Sequence, residues 1–129
     1  MKKLVLLFGC MLLCGPVGFA QEVTPRARVE ALFDALTPGE IESAIDTFAK
    51  ASLIPPEFVD EIQSQTRIFV RPDNKTLGYE FLGEENIGQS IKRLTYVLKT
   101  VEKPLLWTFS FYKPQEKWVP LRVILSDEL

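Results

Sequence analysis

The hydrophobic period changes partway along the chain, and that change constrains the fold more than any other feature. Val29, Leu32, Phe33 and Leu36 recur at i, i+3, i+4 and i+7, and Ile41, Ala44, Ile45 and Phe48 repeat the spacing. Side chains so placed share one face of an α-helix. From Leu77 onward the chain is rich in aromatic and β-branched residues, and Trp107, Phe109 and Phe111 recur at every second position. That period puts them on one face of a strand. Helices first and strands afterwards predict an α+β domain, with the helices gathered on one side of a sheet.

The punctuation between these runs gives the elements. Thr24 caps the first helix and Pro25 takes its first position. Thr37-Pro38-Gly39-Glu40 ends that helix and opens the next, with Thr37 as cap, Pro38 in the first turn and Glu40 completing a capping box. The two form a helical hairpin whose apolar faces need a common partner. Pro55-Pro56 breaks the second helix and begins a short third one, burying Phe58, Ile62 and Phe69. Strands are predicted over residues 78–86, 90–100, 105–112 and 117–125. Their connections, at Gly88-Gln89, Glu102-Lys103-Pro104 and Lys113-Pro114-Gln115-Glu116, are too short for a parallel crossover. The sheet is therefore a curved four-stranded antiparallel meander. Trp107, Phe109 and Phe111, with Val119, Leu121, Val123 and Leu125, seat the helices. Leu106, Tyr112, Trp118 and Ile124 fall on the opposite side, a second apolar face that calls for a partner chain or for the last helix to cover it. Pro120 lacks an N–H and places the fourth strand at an edge or beside a bulge.

The first twenty residues read differently. Lys2-Lys3, the apolar run from Leu4 to Leu13 and the small-residue site Gly18-Phe19-Ala20 have the three-part layout of a secretory signal peptide. The run is far shorter than the roughly 20 residues that cross a bilayer as a helix. Cleavage is expected after Ala20, leaving a single domain over residues 21–129 that is periplasmic or secreted, in a bacterial setting, and not inserted in the membrane. Two other motifs are treated as decoys: Ser126-Asp127-Glu128-Leu129, which resembles a retrieval tail, and the glycosylation pattern Asn74-Lys75-Thr76.

Composition then narrows the chemistry. The chain has no histidine, and its two cysteines, Cys10 and Cys14, lie in the leader. The mature domain thus works without imidazole or thiol, which removes the usual base near neutral pH, the commonest metal ligands and the most reactive nucleophile. Its serines have no histidine to activate them and no Gly-x-Ser-x-Gly elbow around them, so hydrolysis by a triad is excluded. The leader holds two of the 15 basic side chains and none of the 17 acidic ones, leaving the domain at a net charge of −4. With no Lys or Arg run, nucleic acid is not an expected partner. No calcium-loop spacing surrounds Glu84-Glu85-Asn86, and neither metal nor cofactor is expected.

Ala31-Leu32-Phe33-Asp34-Ala35-Leu36, Thr37-Pro38-Gly39-Glu40 and the final hairpin, Trp107 to Pro114 with Trp118, resemble the nuclear transport factor 2-like (cystatin-like α+β) superfamily, and small secreted bacterial members in particular. The resemblance covers nearly all of residues 25–125. It implies a cone-shaped fold with a pocket between helices and concave sheet, and homodimers through the sheet. It does not imply a reaction, because the superfamily joins isomerases and dehydratases to members that only bind. Its enzymes often pair a carboxylate base with a tyrosine or a protonated acid.

The groups available for such chemistry here are Asp46, Tyr79 and Tyr96, with Asp34, Glu80 and Arg93 beside them. Tyr79 and Tyr96 can meet across neighbouring strands. Against this, Asp34 and Asp46 fit solvated helix positions and the tyrosines fit core or rim positions with a satisfied hydroxyl. Tyr79, Arg93, Tyr96, Trp107, Phe109 and Trp118 are the candidates to line a ligand pocket or an interface, although a stripe at period two is commonly core. Arg67, Arg71, Lys92 and Arg93 are weighed as a small anion site against scattered solvated charge. The expectation is an exported, non-catalytic module that binds a small apolar ligand or a protein. The alternative is a small acid/base enzyme of isomerase or dehydratase type, with a buried carboxylate and a tyrosine.

Overall fold

A computed structural model describes residues 23–128. The predicted signal peptide, its cysteines, the Gln21 start and the final Leu129 lie outside the described residues. Three helices come first, α1 (Pro25–Ala35), α2 (Ile41–Ala49) and α3 (Pro56–Phe69), followed by β1 (Thr76–Ile87), β2 (Ile91–Thr100), β3 (Pro104–Tyr112) and β4 (Val119–Ser126). The strands pair antiparallel in the order β1-β2-β3-β4. The α+β meander expected from the change of period is the fold observed. Among the described residues, no helix is long and apolar enough to cross a membrane.

Thr24 caps α1 as its side chain predicts, with Oγ1 accepting from the Ala27 amide at 3.1 Å. The capping box at α2 does not form. Pro38 and Gly39 make an intervening turn, closed by the Glu40 amide on the Thr37 carbonyl at 2.9 Å, so the helix starts at Ile41 with Glu40 as N-cap. Glu40 then stands three residues too early for the box and accepts instead from the Ser43 hydroxyl at 2.9 Å. Two residues past the end of α2 stands Ala51, the one non-glycine at positive φ among the described residues (φ 53°). Arg28, on α1, holds this end by donating to the Phe48 and Lys50 carbonyls, groups a helix C-terminus leaves unpaired. Burial pulls the Arg28 guanidinium below its ordinary pKa.

The third helix is not short: with 14 residues it is the longest of the three. Nor does it bury Phe58, which is 54% exposed, because its inner face is formed by Ile62, Gln63 and Thr66. Thr66 satisfies its buried hydroxyl on the Ile62 carbonyl at 2.6 Å, and Gln63 reaches Asp46. Polar side chains with local partners can therefore occupy core positions that a purely apolar periodicity assigns elsewhere.

Leu94, Tyr96 and Leu98 of β2 and Leu105, Trp107, Phe109 and Phe111 of β3 face the helices and are almost wholly buried with Val29, Leu32, Phe33, Ile45 and Phe48. Phe33 sits at the centre, its ring 5.1 Å from Tyr79, 5.3 Å from Trp107 and 5.8 Å from Phe109. Burial of each such side chain contributes about 1.5–3 kcal/mol, and edge-to-face pairs add to that. Within this layer the Trp107 indole N–H has no hydrogen-bond partner among the described residues.

Bulges correct the predicted faces. In β4 Phe111 stands opposite Pro120 and Ser110 opposite Arg122, so Leu121 is the extra residue. Parity resets there: Pro120, Val123 and Leu125 face inward and Leu121 is 37% exposed. Both readings of Pro120 hold, since β4 is an edge strand and Pro120 flanks its bulge. Trp118 precedes the strand and packs against the core cluster instead of the outer face. A second bulge at Leu82, between Phe81↔Tyr96 and Gly83↔Thr95, leaves Leu82 exposed on β1.

Asn74 ties the end of α3 to the β2–β3 turn. Its Nδ2 donates to the Phe69 carbonyl at 2.7 Å and to Thr100 Oγ1 at 3.2 Å, while Oδ1 accepts from the Glu102 amide at 3.0 Å. At 1% exposure, this asparagine is a buried connector, not an accessible glycan acceptor in the folded domain.

Candidate functional site: a tyrosine–carboxylate cluster and an edge groove

Antiparallel pairing of β1 and β2 sets Phe81 opposite Tyr96 and Tyr79 opposite Leu98, so both tyrosines face α1. On α1, Arg26, Glu30 and Asp34 follow one another at i, i+4 and i+8 and line up along one stripe of the helix. Tyr96 Oη donates to Glu30 Oε2 at 2.9 Å, and Arg26 Nη2 approaches the same oxygen at 3.4 Å while its guanidinium lies 3.9 Å over the Phe81 ring. Burial, and then the bond to Glu30, push the Tyr96 hydroxyl up to about 12. Tyr79 is also raised, first by desolvation and then by the negative charges of Asp34 and Glu30. The tyrosines do meet, with rings 6.1 Å apart, and the carboxylates beside them are Glu30 and Asp34.

Asp46 is elsewhere. It accepts from Gln63 Nε2 at 2.9 Å between α2 and α3, next to the Arg67–Glu42 ion pair at 2.6 Å. Arg93 projects from the outer face to Glu85 at 3.0 Å, and Lys92 pairs with Glu84 at 3.4 Å and lies 4.9 Å over Trp118. Arg71 is engaged by Asp73 and Glu102. The four cations weighed as an anion site are thus distributed among separate carboxylates. Trp107 and Phe109 are fully buried against Phe33 and each other, with the two rings stacked 5.7 Å apart. Chemically the cluster on α1 holds one committed hydroxyl proton, on a fully buried tyrosine, and a carboxylate already shared with an arginine. It fastens α1 to the sheet.

The surface formed by the described residues includes three grooves. One of about 440 Å³ is lined mainly by polar groups at Pro38, Gly39, Glu40, Asp46 and Arg67, and one of about 350 Å³ runs past Ile68, Phe69 and Asp127. The third, about 380 Å³, lies between α3 and β4 and combines Ile54, Phe58 and Ile62 with residues 121–125. Volume does not separate the three, but chemistry does: Phe58, Leu121 and Ile124, exposed by 54%, 37% and 44%, gather at this one groove. Apolar groups left open at one place are the usual mark of a binding surface. The sequence reading missed it because Phe58 and Leu121 both carry the spacing of core residues. No local signal separates a helix position facing the core from one a turn away at its rim.

No protein-family model matches the chain, and no curated protein matches it in sequence. In overall structure it is similar to a DUF4783 family protein from Bacteroides uniformis, at 11% identity and a TM-score of 0.52, over 78% of this chain and 96% of that one. At that identity the likeness speaks to the α+β architecture alone.

Proposed function

We propose that the protein is an exported, non-catalytic binding module of the nuclear transport factor 2-like kind, and that it holds its ligand in the groove between α3 and β4. One observation carries this reading. The space between helices and sheet, where such a fold has its pocket, is occupied by Phe33, Phe48, Tyr96, Trp107, Phe109 and Phe111, each at most 6% exposed, whereas three exposed apolar side chains, Phe58, Leu121 and Ile124, line the outer groove. The acid/base alternative draws on the contact of Tyr96 with Glu30. Weighing against it are the burial of that hydroxyl and its hydrogen bond to Glu30, because an oxyanion donor must be free to reach substrate.

The test is a titration of the purified full-length protein with an apolar fluorophore, anilinonaphthalene sulfonate. Phe58→Ser is expected to remove most of the fluorescence gain while leaving the unfolding midpoint nearly unchanged, since the side chain is half exposed. Undiminished binding by Phe58→Ser would sink the groove assignment.

A further inference from the structure

The proposed groove also indicates what kind of occupant it takes, and the following rests on that proposal. A groove on one face of a strand touches every second residue. This one is lined by five consecutive residues, 121–125, so it runs along the open edge of β4, where the main chain itself is accessible. β3 pairs with one side of β4 and, among the described residues, no strand pairs with the other. One rung is already in place there: the Leu53 amide donates to the Pro120 carbonyl at 2.9 Å. The loop before α3 thus occupies the first position of a fifth strand and then turns away into the helix. Beyond Pro120, among the described residues, no main-chain group from another segment bonds this edge. Natural edge strands are protected by proline, bulges and charge. Here Pro120, the Leu121 bulge and Arg122 stand together at the start of β4, and Val123-Ile124-Leu125 continue without such protection.

Charge on the groove comes from Arg122 on the β4 side and from Glu61, which accepts from Gln65 Nε2 at 3.3 Å, on the α3 side. Five of the six arginines are engaged: Arg26 with Glu30, Arg28 with two carbonyls, Arg67 with Glu42, Arg71 with Asp73 and Glu102, and Arg93 with Glu85. Arg122, on the groove, has no hydrogen bond or ion pair among the described residues. The β4 sequence, VPLRVILS, holds no acidic residue, so a second copy of the strand brings Arg122 no carboxylate from within its own length.

We propose that an extended peptide segment adds to β4 as a fifth strand, lying between β4 and α3, with alternate apolar side chains against Phe58 and Ile62 and an acidic side chain on Arg122. Five residues of strand span roughly 17 Å, room for about five residues of partner. Main-chain bonds supply the affinity of such additions, and the side-chain contacts set register and choice.

The experiment is selection of a phage-displayed random dodecapeptide library on the immobilised full-length protein, in parallel with Arg122→Glu. The expected winners alternate apolar residues and carry an acidic one, and Arg122→Glu reverses the selected charge to basic. In a synthetic winner, N-methylating two amides along one edge lowers affinity at least tenfold, and methylating those along the other edge changes it less than twofold. If methylation on neither edge matters while Phe58→Ser still abolishes binding, strand addition fails and the groove assignment stands. If Phe58→Ser leaves binding intact, both fail. No enrichment refutes strand addition, leaving the groove to the fluorophore titration. A dimer in sedimentation in which the edge-side amides of β4, those not bonded to β3, are protected from exchange refutes it in favour of a second copy.

Discussion

Replacing Asn74 should destabilise the domain far more than its turn position implies. Asn74→Ala removes three hydrogen bonds and leaves the Glu102 amide and the Phe69 carbonyl without their partner in a site that is 1% exposed. Thr100 Oγ1 loses least, because it keeps Lys103 through its carbonyl at 2.7 Å and its amide at 3.2 Å. At about 1 kcal/mol net per bond, with the weaker one discounted, the cost is about 2–3 kcal/mol. For a domain of this size that is a fall of roughly 10–20 °C in Tm. Asn74→Asp tests the same site by charge. It keeps the acceptor for the Glu102 amide, loses both donors and points a carboxylate at the Phe69 carbonyl, so its pKa is raised on folding. For an acid raised in this way the penalty is full above the folded-state pKa and shrinks on acidification, vanishing below the unfolded-state value. Urea unfolding followed by circular dichroism at pH 7 and pH 4 reads both variants. A cost below about 1 kcal/mol for Asn74→Ala, or an Asn74→Asp deficit equal at the two pH values, would refute the reasoning.

Tyr96→Phe should cost about 1 kcal/mol and delete the tyrosine that ionises last in an absorbance titration. The sign follows from the raised value: the stability from Tyr96 is complete below the ordinary tyrosine pKa and is lost as pH rises through about 12, and an unchanged alkaline limb in the variant refutes the assignment. Ala51→Gly relieves a left-handed backbone at the end of α2 and should stabilise the domain by about 0.5–1 kcal/mol in the same urea assay, glycine entropy offsetting part of the gain; any destabilisation contradicts that. Sedimentation of the protein at micromolar concentration tests the homodimer through the sheet that the family resemblance implies. If it forms there, Leu106→Lys on the outer face should shift it to monomer, and a dimer indifferent to that change lies elsewhere.

Much of the fold was legible because periodicity and punctuation are local. Thr24-Pro25 starts α1 through a hydroxyl and a missing N–H, and neither depends on the rest of the chain. Trp107, Phe109 and Phe111 share a face wherever that segment is extended. The errors fall where a local pattern met a nonlocal choice. The Leu121 bulge turned half of β4 over, Gln63 and Thr66 took core positions by finding partners, and Glu30, which no sequence signal singled out, joined Asp34 beside the tyrosines while Gln63 holds Asp46.

The order of residues alone determined helices before strands, an antiparallel meander and a chemistry without imidazole, because each follows from spacing, connection length or composition. Only tertiary packing decided that the interior is filled and that, among the described residues, β4 keeps one edge open beside α3 with Arg122 unpaired there. Those outcomes depend on which surfaces compete for the same space, and side chains more than sixty residues apart, such as Phe58 and Ile124, come to line one groove only when the fold closes.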